Sequence, residues 1–259
     1  MVAANAMMRY RLKMSTGFIE AWQSCDTASL PSARGRGYFK KCLHGLLTQI
    51  APDEVFFGFP NANSRKGFLG IGWREYSLLS TFVKPWFFSP WRSLGGVEVS
   101  PYGLPQLEPF LQEWMRDRNS LVVRDRAYLE WRYFARPERP YLAFYQWNRH
   151  TLEAVALGRL AEVKGRKVVL VMEAMGLRPR AERSIREAVA RWGFGQGASL
   201  AVDINSHLTP WNGLLGGFCP VPQALLPKRN VFMGQAQDPL LAEALKCPWY
   251  LSVGDWDGF

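Results

Sequence analysis

The residues best placed to do chemistry lie between Asp26 and Ile50, in the run DTASLPSARGRGYFKKCLHGLLTQI. Arg34, Gly35, Arg36 and Gly37 form a compact cluster after a strand-like segment and before a helical one. A turn at a helix N-terminus presents backbone N–H groups that have no partner inside the helix, and the positive end of the helix dipole favours an anion there. Glycine lets the backbone approach a phosphate closely, and the two arginines add charge. The chemistry this pattern suits is phosphate binding. Two carboxylates, Glu20 and Asp26, stand on the strand leading to the cluster. Their even separation puts them on one face of an unbulged strand, where either can act as a general base. The plainer reading of Glu20 is a solvated strand residue.

The remaining titratable groups are less suggestive. His44 falls on the polar face of the helix, His150 in a hairpin turn and His207 beside a helix cap. Glu173 and Asp203 end apolar strands, where a carboxylate either lines a cleft or is solvated. No G-x-S-x-G, H-E-x-x-H or Walker loop occurs, which argues against hydrolase, metalloprotease and nucleoside-triphosphatase readings. The four cysteines are scattered without a C-x-x-C pair, so they read as reduced thiols rather than a disulfide frame or metal site. No metal is expected.

These residues must be positioned by a mixed α/β arrangement. Residues 1–13 and 17–29 read as strands, and an amphipathic helix follows from Tyr38 to Ile50, with Phe39, Cys42, Leu43, Leu46, Leu47 and Ile50 on one face. Glu54–Phe59 reads as a buried strand, Asn63-Ser64 as the cap of a short helix, and Tyr76–Val83 as another strand. The Pro-, Trp- and Gly-rich stretch from Lys84 to Pro105 reads as a linker, whose aromatic and basic content would also suit a membrane surface. Residues 106–135 read as helical. Three strands follow at 141–147, 152–161 and 167–175, then a basic helix at 181–192, a strand at 200–204, a helix capped by Asn205-Ser206 and a last strand at 249–253. The same order of elements appears twice, which points to a degenerate structural duplication.

The chain has 259 residues and a net charge of +10, enough length for two cores and enough charge to favour an acidic ligand. No stretch approaches the roughly 18 apolar residues of a membrane span, and the first residues lack the apolar core of a signal peptide. With the reduced thiols, this predicts a cytoplasmic protein.

The Asp26–Ile50 segment resembles the acyl-CoA pyrophosphate loop of the GNAT acyltransferases, R-x-x-G-x-[GA], with Arg34 and Gly37 at the first and fourth places. Phe39 holds the sixth place, where the pattern has Gly or Ala. Farther along, FGFPNANSRKGFLGIGW resembles the strand, Asn, short helix and Gly-aromatic turn of the same superfamily. The resemblance covers residues 17–84. It implies acetyl-CoA or another acyl-CoA as cosubstrate, held by Ala28, Ser29, Leu30, Arg34, Gly35, Arg36, Gly37, Tyr38, Phe39 and Asn61. It also implies Asp26 or Glu20 as base. Phe68 stands where many members have a proton-donating Tyr, and a Phe cannot donate. Trp131-Arg132-Tyr133 and Gly254-Asp255-Trp256-Asp257 resemble segments of tandem GNAT proteins of bacterial polysaccharide biosynthesis.

The expected architecture is thus a mixed-sheet α/β chain. A GNAT-like acyl-CoA domain occupies residues 1–90, without the usual first strand and helices. A linker and helix follow at 91–125, and a second, degenerate GNAT-like domain at 126–259. The second half carries Gly176-Leu177-Arg178-Pro179-Arg180 in place of a glycine loop, and Pro179 removes an N–H donor, so it is not expected to bind CoA. The function this implies is N-acyl transfer to an amine of a small sugar or amino-acid derivative. The alternative is a non-catalytic GNAT-like protein that binds a ligand or partner. A dimer is an open expectation, and nucleic acid is not an expected partner because no binding motif accompanies the charge.

Overall fold

The structure, a computed structural model, describes residues 2–33, 35–49, 51–88, 96–101, 107–135, 140–226 and 229–256. The chain opens with two long antiparallel strands, β1 (Ala3–Met14) and β2 (Gly17–Ser29). The helix α1 (Tyr38–Leu47), the strand β3 (Val55–Gly58), the helix α2 (Ala62–Leu69) and the strand β4 (Arg74–Pro85) follow. Then come β5 (Val97–Ser100), α3 (Glu108–Arg116), β6 (Leu121–Val122) and α4 (Arg126–Leu129), which runs into a wide π-type turn over Glu130–Phe134. The second half contains β7 (Leu142–Asn148), β8 (Thr151–Val163), β9 (Arg166–Gly176), α5 (Pro179–Gly195), β10 (Leu200–Asn205) and α6 (Pro210–Leu215). It ends with β11 (Cys219–Pro220), β12 (Asn230–Ala236) and α7 (Pro239–Ala244).

All twelve described strands join in one sheet, in the order β5-β7-β8-β9-β10-β4-β12-β3-β2-β1-β6, with β11 on the side of β4. The join runs along β4. Its first half, Arg74–Leu79, pairs with β12, and its second half, Ser80–Pro85, pairs with β10 and, at Phe82 and Val83, with β11. β12 in turn inserts between β3 and β4. Each half of the molecule therefore borrows a strand from the other. Around this sheet α1 and α2 cover one face of the first half over Leu43, Phe56, Phe68, Trp73, Val231 and Met233. α5 covers the second half over Val169, Val171, Ala154 and Ala156. A third and larger core draws Tyr10, Leu12 and Phe57 from the first half and Leu157, Leu170 and Met175 from the second.

Several expectations change. Residues 106–135 are not one helix: Ser120 takes a positive φ of 60°, and Leu121 and Val122 leave the helix to pair with β1. The cap of α2 is Asn61, whose Oδ1 accepts from the N–H groups of Asn63 and Ser64. The cap of α6 is Thr209, while Asn205 Oδ1 accepts from Leu208 N–H. Lys84 is not in a linker; it is buried at the end of β4 beside Glu187 and the Gly216 carbonyl. Within the expected linker, residues 96–101 contain β5, and residues 89–95 and 102–106 lie outside the described set. Residues 249–253 are not a strand of the sheet and make two isolated bridges. The strand β12 and the helix α7 carry no expectation from the sequence, because VFMGQA is short and sits among turn residues.

Candidate functional site

In the first half a V, the place where two neighbouring parallel strands cease to pair, lies at the end of the shorter strand. β2 pairs with β3 from Ala21↔Val55 to Ser24↔Gly58, where the pairing stops, and β2 runs on to Ser29. At the point of separation β2 bulges: Ser24 faces Met7 and Thr27 faces Asn5, so Cys25 and Asp26 together oppose Ala6. Bulges re-aim strands and recur beside functional sites. Asn5 fixes this one by donating from Nδ2 to Ser24 Oγ at 2.8 Å and to Thr27 Oγ1 at 2.6 Å. Neither Asn5 nor the bulge is recognisable in the sequence, since nothing in the alternation before Ser24 marks where the extra residue enters.

Beyond Ser29 the chain turns into α1 through Gly35 and Gly37, both with φ of 77°. This is the left-handed region that side-chain-bearing residues avoid. A Cβ at either glycine would meet nothing within 4 Å, so the turn is open on its outer side. Gly37 caps α1 with no side-chain hydrogen bond to its first N–H groups. The turn and the helix start thus offer backbone donors to an anion. Ala28 and Arg36 are exposed, Ser29 and Tyr38 are half-buried, and Leu30 is exposed. Arg34 lies outside the described residues.

Phe39 does not lie over this turn. Its ring reaches across to α2 and stands edge-on to Phe68, 5.2 Å between centroids. Gly67 makes room for it: a Cβ there would come within 2.3 Å of the Phe39 ring. Phe68 itself is buried against Trp73 at 4.4 Å, in an aromatic stack rather than at a polar wall. Asn61 stands at the start of α2 with Oδ1 committed to the cap, which leaves Nδ2 as its donor to a ligand. Glu20 is half-buried and paired with Arg9 at 2.9 Å. Asp26 is exposed on the bulge, and the bulge breaks the alternation that would have put it on the face of Glu20. His44 is well away from the turn, at a separate depression of about 800 Å³ by the far end of α1.

The second half repeats this geometry and then fills it. β9 pairs in parallel with β10 up to Asp203↔Val171, bulges at Met172 against β8, and runs on to Gly176. The 249–252 segment occupies the V that results. Ser206 N–H donates to the Leu251 carbonyl, Asn205 bridges to Ser252, and Tyr250 OH donates to the Ala174 carbonyl at 3.0 Å. α5 starts with Pro179 at the place of the glycine turn.

Glu173 and Asp203 do not line a cleft. Glu173 accepts from Arg124 at 3.2 Å and from Tyr133 OH at 2.8 Å, and Arg124 donates to Asp255 at 2.6 Å, all fully buried. Burial pushes the Glu173 carboxyl up from its ordinary value, against the pull of Arg124. The two tandem-like segments meet here: Arg132 donates to the carbonyls of Gly254 and Trp256, each at 2.8 Å, and Gln23 of the first V donates to the Asp255 carbonyl at 2.9 Å. Asp257 lies outside the described residues. Asp203 is bound to Arg186 at 2.6 Å, and Arg186 also pairs with Glu182. Burial works to raise the Glu182 carboxyl, but His207 and Arg186 outweigh it and hold it down at about 2.

With the geometry in view, the comparisons define a class. The chain has the GNAT fold: it resembles a GCN5-related N-acetyltransferase from Anabaena variabilis with a TM-score of 0.65 at 10% identity, over 90% of this chain and 59% of that one. A GCN5-related N-acetyltransferase from Kribbella flavida matches with a TM-score of 0.61 at 18% identity, over 92% and 58%. More particularly, the arrangement is that of a GNAT-like half followed by a degenerate one, and a tandem GNAT protein from the clavulanic acid biosynthesis pathway matches with a TM-score of 0.52 at 11% identity, over 92% and 80%. The chain spans about three fifths of the length of the first two structures. No family model matches the sequence, and no curated protein sequence does. Among the described residues no helix is long and apolar enough to cross a membrane, and no three or more His, Cys, Asp or Glu side chains gather as metal ligands would.

Three outcomes are expected from this geometry. Arg124→Met strands two buried carboxylates and destabilises the fold by about 3–5 kcal/mol in urea unfolding. Gly254→Ala also destabilises it, because a Cβ there would fall 1.8 Å from Tyr133 Oη. The depressed Glu182 carboxyl contributes stability that is present above its ordinary 4.5 and lost as the pH falls towards 2. The loss is about 3 kcal/mol for a shift of that size. Urea midpoints measured from pH 5 to pH 2 should fall less steeply for Glu182→Gln than for the parent.

Proposed function

We propose that the chain is an acyl-CoA-dependent N-acyltransferase, moving an acetyl or other acyl group to an amine of a small sugar or amino-acid derivative. The observation that carries this reading is the run of β2 past its bulge, unpaired with β3, into an open glycine turn at the start of α1. The residues present fit an anionic, extended ligand. Backbone donors from Gly35 to Phe39, with the charge of Arg34 and Arg36, would hold a pyrophosphate. The free backbone edge of Ala28–Leu30 would hold an acyl arm, and Asn61 Nδ2 would donate to it.

Acyl-CoA, when bound, supplies the activated thioester. The chain's part is to bring an amine and that carbonyl together and remove a proton. Asp26, exposed beside the bulge, is the group we assign to take it, directly or through water. Phe68 donates no proton, so the leaving thiolate takes its proton from solvent or the acceptor. A second reading, a ligand-binding protein without catalysis, is favoured by one observation: Phe68 is buried in an aromatic stack where a donor would be needed.

Calorimetric titration with acetyl-CoA and longer acyl-CoAs tests the first reading. Micromolar binding at one site per chain is expected, because the second V is filled by the chain itself. Gly37→Glu should abolish it through added charge and a strained φ. Asp26→Asn should lower kcat about 100-fold with little change in binding. A folded parent protein that binds no acyl-CoA would leave only the second reading.

A further inference from the structure

The proposed reaction does not use a cavity of about 210 Å³ in the second half. It opens between the start of α5, the loop after β10 and the start of α6, with Arg118 reaching in from beyond α3. Its cations are unevenly matched. Arg186 is neutralised by Asp203 and Glu182. Arg118 donates to the Trp114 and Gly176 carbonyls and stands 5.6 Å from the Tyr250 ring, with no carboxylate within ion-pair distance among the described residues. Arg183, half-buried in the wall, makes no hydrogen bond or ion pair among the described residues.

His207 adds an independent sign of a missing partner. Its ring is stacked on Tyr250, 3.6 Å between centroids and 14° from parallel. Both ring nitrogens are enclosed; Nε2 faces Glu182 Oε1 at 3.5 Å, an ion-pair rather than a hydrogen-bond distance, and Nδ1 has no hydrogen-bond partner among the described residues. Enclosed polar groups without partners are uncommon and call for an explanation. A neutral ligand would leave two guanidinium groups without a counter-ion. A dianion with several acceptor oxygens supplies one, and guanidinium forks match phosphate oxygens.

We propose that this cavity binds a phosphate group, either free or carried by a small metabolite, with Arg118, Arg183 and Asn212 as its donors and the His207 ring beside them. Its volume suits a small phosphate ester rather than a nucleotide, and the 249–252 segment closes the strand opening behind it to any long arm. The site is independent of the acyl-CoA reading, because it shares no residue with the glycine turn of the first half.

The test is calorimetric titration of the intact chain with inorganic phosphate and with glycerol 3-phosphate, alongside NMR of the histidine ring signals. Both probes should bind saturably and move the His207 signals. Arg183→Gln and Asn212→Ala should each weaken binding while leaving the melting temperature in phosphate-free buffer unchanged. The arginine variant should lose roughly tenfold or more, the worth of a charged hydrogen bond. Gly37→Glu should leave phosphate binding intact. Tighter binding of the ester would assign the site to a phosphorylated metabolite, and equal binding would assign it to free phosphate. Absence of saturable binding, or full affinity in Arg183→Gln, would overturn the proposal. So would loss of binding in Gly37→Glu, which would place the anion at the first turn instead.

Discussion

The fold depends on one buried charge cluster. Arg124 has no solvent to turn to, and its counter-ions come from distant parts of the chain: Glu173 from β9 and Asp255 from the 249–256 segment. Such a cluster is stable only when each member is paired, since a single unpaired charge in that interior would cost several kcal/mol. The pairing therefore fixes where the 249–256 segment must lie. Once that segment is fixed, Tyr250 and Leu251 fall into the second V, and the Asp255 carbonyl reaches Gln23 beside the first. One guanidinium thus fixes the closed state of one half and the edge of the other.

The two halves show how one backbone plan can support opposite outcomes. Both have parallel strands that part at a bulge, and both follow the longer strand with a helix. In the first half the turn is made by glycines with open space outside them, and the parted strand keeps a free edge. In the second, proline starts the helix and protein backbone takes the place a ligand would occupy. Gly254 is the close approach on which the filling depends, because only a residue without Cβ fits beneath the Tyr133 hydroxyl and Glu173.

Much of this plan was legible in the sequence because local physics dictates it. The alternation of β1 and β2, the apolar face of α1 and the glycines of the turn announce themselves within a few residues. The failures share a cause. β12 is a strand only because β3 and β4 receive it, and residues 249–253 are not a sheet strand only because Glu173 and Arg124 hold them elsewhere. Phe39 stands where the pattern has a small residue, but its place is decided by Gly67 on another helix. The bulge at Cys25 and Asp26, which separates Asp26 from the face of Glu20, is likewise set by Asn5 on a neighbouring strand. Glu182 and Arg186 stand one helical turn apart on α5, but the pairing of Arg186 with Asp203 joins residues that no spacing rule connects.

The exchange of strands along β4 also constrains how the molecule can be made. Until residues 230–236 arrive, β3 and β4 have no strand between them, and each presents unpaired backbone groups beside Phe56, Phe57 and Leu79. Edges of that kind are sticky. The first half cannot finish folding as it leaves the ribosome, and it must wait for a strand from the far end of the chain. Long-range pairing of this sort slows folding and exposes intermediates to aggregation. The same exchange means that the halves cannot be inherited, cut apart or recombined as separate modules. Whatever duplication the architecture reflects, the copies now stand or fall together.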